Sequence, residues 1–151
     1  MNWEVIAATG EWAGAIAVVI TLAYLAKQIK QAREVGQFNA SKELFERFDE
    51  INQLLITNPE TRQLLIGSGE LTPDEEEHLY TVANLFCNQW ASVEEAFNQG
   101  QISEQMFSAL IDDVPACKER WPRIVTFIEK WLHNYPGFRN FRIFETFQND
   151  A

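Results

Sequence analysis

The chain has 151 residues, of which 46% are hydrophobic and 13% aromatic, and its formal net charge at pH 7 is −10. This apolar content is enough for a packed core and excludes a globally disordered chain. The excess of acidic residues argues against nucleic acid as a partner, because phosphate binding needs a basic face. Two cysteines are too few for a disulfide-rich secreted module or a four-cysteine zinc site.

An uncharged apolar run occupies residues 12–26. Extended back to Val5 it includes Glu11 and reaches 22 residues, enough to cross a hydrocarbon core that needs about 20 helical residues. Amphipathic rings, which favour the headgroup region, lie near its ends at Trp3, Trp12 and Tyr24. The run therefore predicts a single transmembrane helix. A buried core helix of a soluble protein stays open as the alternative.

Basic residues flank this run on one side only. No Lys or Arg precedes it, and three follow within seven residues: Lys27, Lys30 and Arg33. The positive-inside rule then places the N-terminus outside and the C-terminal side in the cytoplasm. A cleavable signal peptide fits poorly, because Glu4 lies in the n-region and Tyr24 would occupy the −3 position of a cleavage site. We predict an anchor and juxtamembrane helix over residues 1–36 and a cytoplasmic helical domain over residues 37–151.

The run TLAYLAKQIKQAR at residues 21–33 resembles the N-terminal signature of an uncharacterised family of small bacterial membrane proteins. In that family a hydrophobic helix runs into a Tyr-Leu-Ala-x-Gln-Ile-x-Gln stretch, matched here by Tyr24, Leu25, Ala26, Gln28, Ile29 and Gln31. Two later features are also similar, namely Glu94, Glu95, Phe97, Gly100 and Ile102, and the pair Arg120 and Trp121. The resemblance implies a bacterial inner-membrane protein with a helical cytoplasmic domain. It implies no activity and no catalytic residue.

The rest of the chain has the apolar periodicity of helices, and no stretch shows the period of two that is typical of strands. Gly36 is expected to interrupt the helical pattern as a hinge. Thr72 and Glu75 form a capping-box pattern with Pro73 at the first helical position. The predicted helices cover residues 39–57, 60–66, 72–97, 103–114 and 122–134. The expected fold class is all-α, with the transmembrane helix followed by a bundle of four or five helices.

An acidic run at residues 74–77 is followed by His78, so that Glu75 and His78 have the Glu-x-x-His spacing of di-iron bundles. A di-iron site needs a second such pair, but His133 follows Glu129 by four residues. The alternative is an acidic first turn that complements the helix dipole. We therefore expect no metal site.

The two thiols differ in their sequence surroundings. Cys87 falls beside the apolar face of its helix and is expected to be buried and inert. Cys117 lies near Lys118 and Arg120, whose charges favour a lowered thiol pKa. The chain has neither a Gly-x-Ser-x-Gly elbow nor a phosphate-binding glycine loop. We expect no catalytic, cofactor-binding or metal-binding residue, no cofactor, and no enzymatic activity.

Phenylalanines recur at every third position near the C-terminus, with arginines between them: Phe138, Arg139, Phe141, Arg142, Phe144 and Phe147. One interpretation is a terminal helix whose rings dock into the domain core. The other is an interfacial segment that returns to the membrane, with rings in the acyl boundary and arginines at headgroups.

The acidic residues are concentrated after the anchor. Residues 34–151 carry 9 basic and 20 acidic side chains, a net charge of −11. We expect a single-pass protein that contacts the lipid bilayer through its N-terminal helix. Its acidic domain is expected to bind a protein partner that presents a basic surface. Homo-oligomerisation stays open. The alternatives are a soluble all-α domain that uses its first helix for core packing or dimerisation, and a membrane-tethered enzyme with an unrecognised site.

Overall fold

A computed structural model describes residues 3–147, without the side chains of residues 3–9 and 146. The described chain is all-α, as predicted, and contains no strand. It falls into two compact units that divide between Phe38 and Asn39. Five α-helices follow the first one, in agreement with the expected four or five. The helices are α1 (Trp3–Thr57), α2 (Pro59–Ile66), α3 (Pro73–Asn98), α4 (Glu104–Ile111), α5 (Asp113–Arg120) and α6 (Ile124–Asn134), followed by two 3-10 helices, η1 (Pro136–Asn140) and η2 (Arg142–Phe147).

The N-terminal unit is the first part of α1. Every side chain over residues 10–36 is exposed, including large apolar ones such as Trp12, Val19 and Leu22. By length and composition, α1 is able to cross a membrane. The helix continues through Gly36, so the predicted interruption is absent. That prediction was wrong, because a glycine costs a helix only about 1 kcal/mol relative to alanine and does not have to end it.

The ends of α3 follow directly from its sequence. At the start, the Thr72 N–H donates to Glu75 Oε2 over 2.8 Å, and Thr72 Oγ1 accepts from the Glu75 N–H over 3.4 Å. This is the predicted capping box. At the end, the Gln101 N–H donates to the Ala96 carbonyl over 2.8 Å, while Gly100 has a φ of 68°. The left-handed conformation suits glycine and closes the helix as a Schellman motif.

The helix predicted over residues 103–114 is α4, and Pro115, which suits a first-turn position, lies in the first turn of the next helix, α5. Ser103 caps α4 as its sequence suggested, since its hydroxyl accepts from the Met106 N–H. However, α4 ends at Ile111 and α5 begins at Asp113. Pro115 explains the break, because proline has no N–H to donate to the carbonyl four residues earlier and its ring clashes with that carbonyl. The helix expected to begin at Pro122 begins two residues later, as α6.

The C-terminal phenylalanines do not form a terminal α-helix: Phe138 lies on η1, Phe144 and Phe147 lie on η2, and Phe141 lies between the two. A 3-10 helix has three residues per turn, so side chains three apart lie on one face. This geometry suits a three-residue spacing, which drifts around an α-helix. Phe144 and Phe147 are buried, and Phe138 and Phe141 are partly buried against the core. The prediction that these rings dock into the domain is confirmed, although the element that carries them is different.

The core of the second unit is built around two tryptophans. Trp90 on α3 is fully buried, and its ring centroid lies 5.5 Å from that of Phe86 and 6.3 Å from that of Phe144. Trp131 on α6 lies 5.6 Å from the same Phe144 ring. The Trp90 indole N–H also donates to Asp113 Oδ2 over 3.4 Å. Trp90 therefore joins α3 to α5 and to the C-terminal segment.

Replacing this ring tests the core assignment. We expect Trp90→Ala to lower the free energy of unfolding by about 3–5 kcal/mol, because it removes a fully buried aromatic side chain. Urea denaturation of residues 37–151 measures the change, and we expect this fragment to fold alone. Phe45→Ala is the control, since Phe45 is half exposed and its loss should cost less than about 1 kcal/mol. Equal effects from the two variants would contradict the assignment.

Candidate functional site

The strongest charge concentration in the second unit covers residues 60–77, which we call the acidic end. It contains six acidic residues and one basic residue, Arg62. Five of the carboxylates are exposed and Glu75 is half buried. They lie on α2, on the loop that follows, and on the first turns of α3. Carboxylates in a first turn are stabilised by the positive end of the helix dipole, so part of this charge also helps α3 to form.

A notch of about 460 Å³ lies beside the acidic end, where α1 ends and α2 and α3 begin. Its walls include Glu60 and Asp74, with Leu64 as an apolar contribution. Thr61 is buried, and its Oγ1 lies 2.8 Å from His78 Nε2. This hydrogen bond fixes the imidazole to α2 and gives the notch a polar wall.

The Glu-x-x-His pair does not converge on a common centre. The backbone N–H and hydroxyl of Thr72 both donate to the Glu75 carboxylate, and these hydrogen bonds hold the pKa of Glu75 below its usual value. His78 is bonded instead to Thr61. Within the part of the chain that the structure describes, no three His, Cys, Asp or Glu side chains are placed to hold a metal ion. Glu75 and His78 therefore serve local structure.

Both thiols are buried and free. Burial raises the pKa of Cys117 to about 12, with a further contribution from the nearby Asp113 carboxylate. The Arg120 charge acts in the opposite direction but is outweighed, so the expected lowering of this pKa was wrong. Burial also raises the pKa of Cys87, and the Cys117 thiol adds to it. The predicted burial of Cys87 is confirmed, and neither thiol has the thiolate character of a nucleophile.

Glu94 is a buried carboxylate that the sequence analysis did not single out as a site. Its two oxygens accept the backbone N–H groups of Arg142 and Ile143 over 2.8 and 2.9 Å. These are the first two residues of η2, so α3 caps the C-terminal segment. The available signal was its position four residues after Trp90 and three before Phe97, which places Glu94 on the apolar face of α3.

The features of the resemblance near the end of α3 now have structural roles. The Phe97 ring stacks on that of Phe107, with centroids 4.3 Å apart, and Ile102 is buried. Gly100 supplies the positive φ of the turn between them. Further along, Trp121 is buried and the Arg120 guanidinium lies 5.6 Å from its ring. These residues stabilise the fold.

A second concave surface lies between α1 and α3, which we call the alanine groove. It encloses about 630 Å³ and is bordered by small side chains, Ala40 on α1 and Ala91, Ser92 and Ala96 on α3. Glu43, Arg47 and Glu95 form its charged edges, and Phe138 contributes at one end. The acidic end with its notch and the alanine groove are the two candidate sites on the described surface of the second unit.

Comparison of this chain with protein-family models, with curated proteins and with solved structures finds no match.

The structural role of Glu94 can be tested by mutation, with its exposed neighbour Glu95 as the matched control. We expect Glu94→Ala to lower the free energy of unfolding by about 2–4 kcal/mol, because two buried N–H groups lose a charged acceptor. Glu95→Ala removes an exposed carboxylate and should cost less than about 1 kcal/mol. Thermal or urea unfolding of the two variants checks this. If Glu94→Ala proves as mild as Glu95→Ala, the carboxylate does not hold η2.

Proposed function

We propose that this chain is a single-pass protein of the bacterial inner membrane. Its N-terminus lies outside and its helical domain lies in the cytoplasm. Support comes from the exposed apolar side chains of residues 10–26, since an apolar surface of this size is normally covered by lipid or protein. The basic residues that follow, Lys27, Lys30 and Arg33, support the orientation.

The domain acts through contacts with a protein partner that presents a basic surface. The observation that carries this proposal is how the domain uses its charges. Six of the nine basic side chains of the domain lie against its own aromatic rings or backbone carbonyls, namely Lys118, Arg120, Arg123, Lys130, Arg139 and Arg142. Two others, Lys42 and Arg47, pair with Glu46 and Glu43. The carboxylates are almost all exposed, with Glu94 the buried exception among the described residues. The resulting negative surface favours encounter with a positive one.

Recognition is the role that fits this surface, in preference to catalysis. The polar side chains that approach one another are already bonded in pairs, such as Thr61 with His78 and Glu75 with Thr72. Both thiols have raised pKa values. Exposed charge at the acidic end is free to meet a partner without any rearrangement of the core.

The membrane topology can be measured with fused reporters. We expect a C-terminal reporter that works only in the cytoplasm to be active, and one that works only outside the membrane to be inactive. Moving the three basic residues from positions 27, 30 and 33 to positions before Trp12 should invert both results. The protein should also resist carbonate extraction from membranes. An active external reporter on the unaltered chain would contradict the orientation.

Partner binding should depend on salt and on the acidic end. We expect a pull-down of the tagged full-length protein from native membranes to recover a basic protein whose yield falls from low to physiological salt, where the Debye length is about 8 Å. Replacing Glu60, Asp74 and Glu76 with their amides should weaken recovery. The control replaces Glu119, Glu129 and Glu145 with glutamine, which changes the net charge equally elsewhere on the surface.

Two results would contradict the binding role. Recovery that is indifferent to salt and to the acidic-end variant would remove its electrostatic basis. Failure to recover any partner, together with turnover of a small molecule by the purified protein, would replace it with an enzymatic one.

A further inference from the structure

We propose that the alanine groove receives an α-helix of the partner protein. This helix has an apolar face with a Lys or Arg beside it. The inference rests on the proposed function, because it assigns a docking surface to the partner. Three observations support it: the shape of the groove, the hydrogen bond between its two walls, and the negative charge along its edge.

Small side chains border the groove on both walls, and Asn88, Gln99 and Gln101 add polar groups to its lining. Ala40 on one wall and Ala91, Ser92 and Ala96 on the other leave about 630 Å³ between the helices. An alanine-lined channel between two helices suits the apolar ridge of a third, as in helix-in-groove recognition.

A buried polar bond holds the two walls together. Gln89 on α3 is almost fully buried, and its Nε2 donates to the Leu44 carbonyl on α1 over 2.9 Å. The Leu44 side chain is itself buried in the core. This hydrogen bond fixes one wall against the other at Leu44, which lowers the ordering free energy spent when a helix enters the groove.

The charge of the groove favours a partner helix with a Lys or Arg beside its apolar face. Glu43 is already paired with Arg47, whose Nη2 lies 2.7 Å from its carboxylate. Glu95 is exposed and hydrogen-bonded to the neutral Gln99 amide, so its charge is available. The last turn of α3 beside it carries no basic residue, and a helix C-terminus adds its own negative potential. A Lys or Arg placed here meets Glu95 and the end of α3 together.

The same charge argues against occupants from this chain. A second copy would bring another domain of net charge −10 against a negative groove, which costs association free energy. A different protein with a basic, amphipathic helix is the occupant that complements the groove.

Site-directed photo-crosslinking in native membranes tests this. A photoreactive residue replaces Ser92 in the full-length protein, and the same residue at Thr81, exposed and earlier on α3, is the control. We expect mass spectrometry to identify, from position 92 only, a segment of another protein with apolar residues at helical spacing and an adjacent Lys or Arg. Glu95→Lys should lower the crosslinking yield about tenfold, whereas Glu129→Lys should leave it unchanged.

Several results would overturn the inference. These are crosslinks to a second copy of this chain, crosslinks to lipid alone, a crosslinked segment without a basic residue, equal yields from positions 92 and 81, and no loss of yield with Glu95→Lys. If the salt-sensitive partner is still recovered in the pull-down, such a result overturns the groove and leaves the proposed function standing. If the pull-down recovers no partner, both fail.

Discussion

The second unit depends on one set of ring contacts, those that Phe144 makes with Trp90 and Trp131. Through them the C-terminal segment inserts between α3 and α6, which are the two helices that pack most extensively on each other. A 3-10 segment has too little hydrogen bonding to be stable alone. It is held because burial of its rings and the Glu94 carboxylate act on the same few residues. The core and the chain end therefore stabilise each other.

The sequence predicts the features that are set within a few residues. The capping box of Thr72 and the glycine turn at Gly100 follow from local rules, and so do the helix class and most helix starts. The predicted helix ends before Pro115, but α4 ends three residues earlier, at Ile111, because proline cannot donate a hydrogen bond to the carbonyl four residues before it. The capping of η2 by Glu94 joins residues 48 and 49 positions apart. Such a pairing is set by tertiary packing, which local periodicity cannot predict.

The candidate sites show the same limit. The acidic end is visible in the sequence as a run of charge, and its position on α2 and α3 follows from the helix starts. The alanine groove is invisible in the sequence, because alanines on a helix face usually indicate close packing. Here Gln89 bonds the backbone of α1 at Leu44, and the small side chains on either side are left with space between them. The position of one wall relative to the other thus depends on a hydrogen bond between residues 45 positions apart, which local periodicity does not predict.

Tethering to a membrane would lower the affinity that such a surface needs in order to bind its partner. A groove bordered by alanine and serine buries little apolar area, and exposed carboxylates contribute modestly once salt screens them. Either contact alone gives weak binding in solution. A partner confined to the same membrane meets the domain at a high effective concentration, so weak contacts then suffice without new interactions. The apolar first part of α1 and the modest, acidic surface of the domain are therefore consistent parts of one proposal, in which the anchor supplies proximity and the domain supplies selectivity.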